Sequence, residues 1–103
     1  MRDDEFEWDD RKARSNLRKH KISFEIGRRV FKDDAGFDEI DDREDYGEER
    51  VVRIGLAEGA LLAVTFTERG TRRRIISARK ASKREQTLYF DLTAQGASDP
   101  QGD

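Results

Sequence analysis

The chain has 103 residues, about 12 kDa, with 43% charged and 34% hydrophobic residues and a formal net charge of −2. That length suits one small domain and excludes a large multi-step enzyme. The absence of cysteine excludes disulfides, thiolate metal sites and cysteine nucleophiles. No apolar run reaches the roughly 20 residues of a membrane span. The N-terminus lacks a basic start followed by an apolar stretch, so no signal peptide and a cytosolic location are expected. The charge content leans toward disorder, but runs such as Ala60–Phe66 call for a packed core.

The elements follow in chain order. Phe6-Glu7-Trp8 alternates apolar and acidic residues and suits a short extended segment. Asp9 or Asp10 caps a helix over Asp10–His20, with Ala13 and Leu17 on its inner face. Ser23 opens a second helix that stops near Lys32, with Glu25 in its first turn and Ile26, Val30 and Phe31 forming its apolar side. Asp33–Arg50 reads as a long exposed connection with a short strand around Gly36–Ile40. Arg50–Leu56 presents Val52, Ile54 and Leu56 on one face of a strand. Glu58-Gly59 turns into Ala60–Thr67, the most apolar run and the expected central strand. A turn at Gly70 leads to Arg72–Lys80, completing an antiparallel meander. Ser82 and Glu85 have capping-box spacing, which predicts a last helix from Ser82 to about Leu92.

The fold class is therefore α+β: a small antiparallel sheet of three to four strands, two N-terminal helices and one C-terminal helix. Residues 1–92 form the domain, and Thr93–Asp103 reads as a flexible tail.

Charge is distributed in blocks. Met1–Asp10 holds six acids and one base, and Arg11–Lys32 nine Lys or Arg against one Glu. Asp33–Glu49 holds ten acids and one base, and Arg69–Arg84 eight bases and no acid. If folding joins the two basic blocks, one face attracts polyanions.

His20, the single histidine, is either a general acid or base or a polar residue ending a helix. The Arg72-Arg73-Arg74 run is either a phosphate-binding cluster or a solvated strand edge. Strict alternation places Arg73 with Arg79 on one face, and Arg72, Arg74 and Lys80 on the other. Glu68-Arg69 and Glu49-Arg50 each read as a proton acceptor beside a cation or as a surface ion pair. Trp8 and Tyr89 have the surface to stack on bases, although a core role suits Trp8 better. The acidic run lacks the Asp-x-Asp-x-Asp-Gly pattern of a calcium loop, so no metal is expected, and the run fits a shield for, or mimic of, polyanion surfaces.

Several stretches together resemble the BrnT toxin family. They are Phe6-Glu7-Trp8-Asp9 with Lys12, Asn16 and Lys19-His20, then Ile22-Ser23-Phe24-Glu25, and Gly47-Glu48-Glu49-Arg50 through Ile54-Gly55. Thr67-Glu68-Arg69-Gly70, Arg74-Ile75-Ile76-Ser77-Ala78-Arg79-Lys80-Ala81, Glu85 and Tyr89 continue the pattern, so the similarity covers about residues 6–90. The Asp33–Glu49 segment departs from it, being unusually acidic and lacking an Asp-Pro after the second helix.

The resemblance implies a RelE-like toxin of a type II toxin–antitoxin system, acting as an RNA endonuclease that inhibits translation and growth. It implies a BrnA-type antitoxin carrying a DNA-binding module, and a two-plus-two complex that reaches operator DNA only through that antitoxin. Metal-free cleavage would use the ribose 2′-hydroxyl against the adjacent phosphorus. The candidate catalytic residues are His20, Glu68, Arg74 and Arg79, with His20 and Arg79 as the leading pair. Lys12, Lys19, Arg69 and Arg50 would bind substrate, and no cofactor is expected. A variant of the chemistry relies on positioning by Lys and Arg and leaves His20 secondary. The competing classes are a non-catalytic nucleic-acid-binding module and a pure protein-interaction module.

Overall fold

A computed structural model describes residues 1–97 of the chain. Five strands form one sheet: β1 (Phe6–Glu7), β2 (Phe37–Asp41), β3 (Arg50–Ala57), β4 (Ala60–Arg69) and β5 (Arg72–Lys80), in the order β1-β5-β4-β3-β2. The helices are α1 (Asp10–His20), α2 (Phe24–Gly27) and α3 (Lys83–Ala97), with a 3-10 turn over Arg28–Lys32.

The expected α+β class and meander are present, but the sheet has five strands rather than three or four. The extra strand is β1, which lies parallel to β5, pairing Phe6 with Arg73 and Glu7 with Arg74. No local signal marks that pairing, because three strands, β2 to β4, lie between its partners in the sequence. The second predicted helix divides into α2 and the 3-10 turn. The last helix continues through Thr93 to Ala97, beyond the predicted stop near Leu92, and the rest of the predicted tail, residues 98–103, lies outside the described residues.

Local signals place the helices. Asp9 caps α1 by accepting hydrogen bonds from the amides of Arg11 at 2.8 Å and Lys12 at 3.3 Å. Ser23 caps α2 through the Ile26 amide. Before α3 the capping box closes in both directions: the Glu85 amide donates to Ser82 Oγ, and the Ser82 amide donates to Glu85 Oε1. Glu58 and Gly59 both take positive φ, the backbone of a tight hairpin turn.

The core has two parts, one on each side of the sheet. α1, α2 and the 3-10 turn cover one face, where Trp8, Phe24, Val30, Val64 and Ile75 are buried. A Cβ at Gly55 would lie 3.0 Å from the Val30 carbonyl oxygen, so glycine lets the turn approach β3. On the opposite face α3 packs Tyr89 over Val52, Ile54 and Ala63. Leu56, predicted to share the face of Val52 and Ile54, is 46% exposed beyond the reach of that packing.

α1 is held differently from its predicted Ala13–Leu17 stripe: Leu17 is exposed, and Asn16 is buried. Asn16 Nδ2 donates to the carbonyls of Ile22 and Ala78, and its Oδ1 accepts from the Ala78 amide at 3.1 Å. The edge of β5 beyond β1 is thus satisfied by one side-chain amide instead of a strand.

Candidate nucleic-acid interface

The decisive local feature is a β-bulge. β4 pairs Thr65 with Ser77 but Phe66 with Ile75, leaving Ile76 as an extra residue in β5. An extra residue shifts the alternation of every side chain beyond it. Cross-strand partners share a face, so Arg79 lies with Ala63, and Arg74 with Thr67. Ala63 and Thr67 are both on the face that α3 packs against. Arg79, Arg74 and Arg72 therefore share one face, while Arg73 and Lys80 take the other. This corrects the grouping that strict alternation predicts.

The same face receives Arg50 from β3 and Arg69 from β4. α3 covers only the Ile54 end. The remaining surface is an open, polar patch holding Arg50, Arg69, Arg72, Arg74 and Arg79, with the hydroxyls of Thr65 and Ser77 between them. Beside Arg79 a cleft of about 260 Å³ is lined by Asp41, Val52, Thr65, Ser77 and Glu85.

Each arginine of this patch is already held. Glu85 accepts a two-pronged contact from Arg79, at 2.8 and 3.0 Å. That contact comes first among the causes that bring the Glu85 carboxyl down to about 2, and it raises the Arg79 pKa in return. Glu7 accepts from Arg74 at 2.7 Å, which lowers the Glu7 carboxyl. Glu48 lies 3.4 Å from Arg50 and 3.3 Å from Arg69. Arg50 also sits 4.0 Å above the Tyr46 ring. Arg72 donates to the Asp3 carbonyl. Five guanidinium groups share the patch with the carboxylates of Glu7, Glu48 and Glu85, and the cleft beside Arg79 adds Glu39, Asp41 and Asp42 together with Arg43 and Arg84.

The other predicted site residues are elsewhere. His20 ends α1 on the helix-covered side, and its side chain has no hydrogen bond or ion pair among the described residues. Lys12 and Lys19 are exposed on the same helix. Glu68 pairs in register with Arg73, so it points away from Arg74 and Arg79 and is exposed. The structure thus joins Arg50, Arg69, Arg74 and Arg79 and separates them from His20, Lys12, Lys19 and Glu68.

Trp8 is buried edge-on against Phe24. Tyr89 is buried too, donating its hydroxyl to Asp33 at 2.7 Å. Burial first, then the bond to Asp33, pushes the Tyr89 hydroxyl up to about 12. Neither ring is free to stack on a base. Among the described residues no group of three or more His, Asp or Glu is placed to hold a metal ion, and no helix is long and apolar enough to cross a membrane.

Sequence reasoning missed Glu7 and Glu85 as holders of the arginines, although the Ser82–Glu85 spacing pointed to a fixed Glu85. The hydroxyls of Thr65 and Ser77 were not singled out; Thr65 follows the alternation of β4, while the bulge in β5 sets Ser77 on the face of Arg74.

A comparison with curated proteins finds no match. The family model described as "Ribonuclease toxin, BrnT, of type II toxin-antitoxin system" matches residues 8–85. That span contains α1, α2, strands β2 to β5 and the Arg79–Glu85 clamp. The chain belongs to the BrnT family of type II toxin–antitoxin ribonuclease toxins.

Proposed function

We propose that the open arginine face binds RNA and cleaves it without a metal, by attack of a ribose 2′-hydroxyl on the adjacent phosphorus. The observation that carries this reading is the convergence of Arg50, Arg69, Arg74 and Arg79 on the part of one sheet face that α3 leaves uncovered. The P–O5′ bond breaks as the 2′-O–P bond forms, giving a 2′,3′-cyclic phosphate and a 5′-hydroxyl. Arg74 and Arg79 stabilise the extra charge on the phosphoryl oxygens, and Arg50 and Arg69 hold flanking phosphates. A guanidinium already oriented by a carboxylate needs little reorganisation when a phosphate replaces one of its contacts.

The carboxylates supply the proton path. When phosphate draws Arg74 away, Glu7 loses the contact that chiefly keeps its carboxyl low. It then becomes the carboxylate placed to accept the 2′-hydroxyl proton, and solvent protonates the leaving 5′-oxygen. This supports the positioning variant of the chemistry over one led by His20. Glu68 and His20 are then dispensable, and Lys12 and Lys19 add only long-range attraction for RNA. A BrnA-type antitoxin neutralises the toxin in a two-plus-two complex and carries the contact with operator DNA.

The test is incubation of antitoxin-free protein with end-labelled RNA in EDTA, with analysis of the ends. Cyclic-phosphate ends are expected, with a loss of about 100-fold or more in Arg74→Ala and Arg79→Ala. Full cleavage by the Arg74→Ala, Arg79→Ala double variant would move the site. RNA binding without turnover, with or without ribosomes, would leave a binding module.

A further inference from the structure

The opposite face of the sheet holds a second collection of basic residues with a different character. An open pocket of about 610 Å³ lies against the 3-10 turn, with Phe6, Phe31, Arg28, Arg29, Lys32 and Arg73 in its wall. Arg28 is paired with Asp3 at 2.8 Å, and Arg29 with Glu58. Arg73 is not paired. Its guanidinium rests 4.6 Å from the Phe31 ring centre and 5.9 Å from that of Phe66. Its Nε is buried without a hydrogen-bond partner, and no carboxylate among the described residues reaches it. Arg53 also has an unpartnered Nε, but its terminal nitrogens reach Asp38 and the Asp33 carbonyl.

An arginine flattened on aromatic rings keeps its planar fork oriented, ready for a two-pronged contact with an anion. A buried donor left unsatisfied costs free energy that an arriving acceptor recovers. The charge of the wall selects among acceptors. Asp3, Glu5 and Glu58 line the same pocket as Arg28, Arg29, Lys32 and Arg73. Three acids against four bases leave an excess of one positive charge. That balance suits one carboxylate at Arg73, whereas a chain of phosphates would also have to pass Asp3, Glu5 and Glu58 in the same wall. The rings of Phe6 and Phe31 suit apolar neighbours of that carboxylate.

We propose that this pocket seats an Asp or Glu side chain, flanked by apolar residues, from the antitoxin partner, with Arg73 as its receptor. The proposal rests on membership of a toxin–antitoxin family, not on the nuclease chemistry. It places the antitoxin contact on the face away from the arginine patch, so that RNA and this anchor use separate surfaces.

The test is titration of the protein with its own antitoxin, comparing the parent with Arg73→Met and Arg73→Lys. Methionine keeps apolar cover over the rings and removes the charge. Arg73→Met is expected to weaken antitoxin binding by about 30-fold or more while RNA cleavage stays unchanged. Arg73→Lys restores only part of the affinity, because an ammonium lacks the planar fork. Antitoxin affinity of Arg73→Met within about twofold of the parent overturns the proposal. So does a loss of RNA affinity in its place, which would make the pocket a phosphate site. Hydrogen exchange on the unsubstituted complex keeps the test open if the variant folds poorly: protection at Phe6 and Arg28–Lys32 is expected, and unchanged exchange there refutes the anchor. If the parent cleaves no RNA but the Arg73 pattern holds, the nuclease reading fails and this one stands.

Discussion

The two faces of the sheet both carry arginines, and they differ in what holds those arginines in place. On the open face Arg74, Arg79, Arg50 and Arg69 are held by Glu7, Glu85 and Glu48, and Arg72 by a carbonyl. On the helix-covered face Arg73 is held by the rings of Phe31 and Phe66 and has no carboxylate. The pairs made by Glu7 and Glu48 lie at a partly solvated surface and contribute little net stability, so a phosphate can replace those carboxylates without unfolding anything, whereas Glu85 is buried and also caps α3. A guanidinium stacked on rings keeps its hydrogen-bonding capacity unspent. The first arrangement suits exchange with a passing polyanion, the second a lasting contact with one partner group. The same residue type thus serves two kinds of recognition according to what lies under it.

The open face is most sensitive at Arg74 and Arg79, where alanine is expected to cost about 100-fold or more in RNA cleavage. The next largest effect tests how the helix-covered face is assembled. Asn16→Leu leaves the amide and carbonyl of Ala78 without their side-chain partner. It is expected to cost about 2–4 kcal/mol of folding stability, measured by urea unfolding, whereas Leu17→Ala, on the exposed side of α1, costs about 0.5 kcal/mol or less.

The Glu85 clamp comes third. Its carboxyl lies at about 2 in the folded chain against an ordinary 4.5. A depressed carboxylate contributes stability that is fully present above its unfolded pKa and is lost as the pH falls through the folded one. The parent should therefore lose stability between about pH 4.5 and pH 2. Glu85→Gln should flatten that part of the curve and lower stability by about 2 kcal/mol at neutral pH. An unchanged acid limb in the variant, followed by circular dichroism, would show that other carboxylates set it. The smallest effect belongs to Glu48, which faces both Arg50 and Arg69. Glu48→Gln removes a competitor for phosphate and is expected to tighten RNA binding by about two- to fivefold at low salt. The gain should shrink as salt rises, since the interaction is screened.

Glu48 also gives the acidic segment a physical role. The sequence marks Asp33–Glu49 as a run of acids, fit to shield a basic surface or mimic a polyanion. In the folded chain its members engage cations: Asp41 holds Arg43, Asp38 holds Arg53, Glu39 holds Arg84 and Glu48 faces the patch. Asp33 turns inward instead. Burial opposes its charge, but the Leu56 amide, the Tyr89 hydroxyl and the Ala35 amide together hold its carboxyl below the ordinary value.

Much of the fold was legible because its signals are local. Asp9, Ser23 and the Ser82–Glu85 box mark helix starts through bonds that span two or three residues. Alternation and the Glu58-Gly59 turn mark the meander for the same reason. The motifs spread between Phe6 and Tyr89 were enough to indicate the family. Tertiary structure decided the rest. The pairing of β1 with β5 joins residues more than sixty positions apart, and the Asn16 bridge to Ala78 spans 62. Neither leaves a trace in neighbouring residues. The bulge at Ile76 arises where β5 meets β4, and one extra residue reverses the facing of everything beyond it. That reversal sends Arg79 to join Arg74 and parts it from Arg73. Composition determined that this chain would be rich in arginine, but side-chain direction follows register, and register belongs to the assembled sheet.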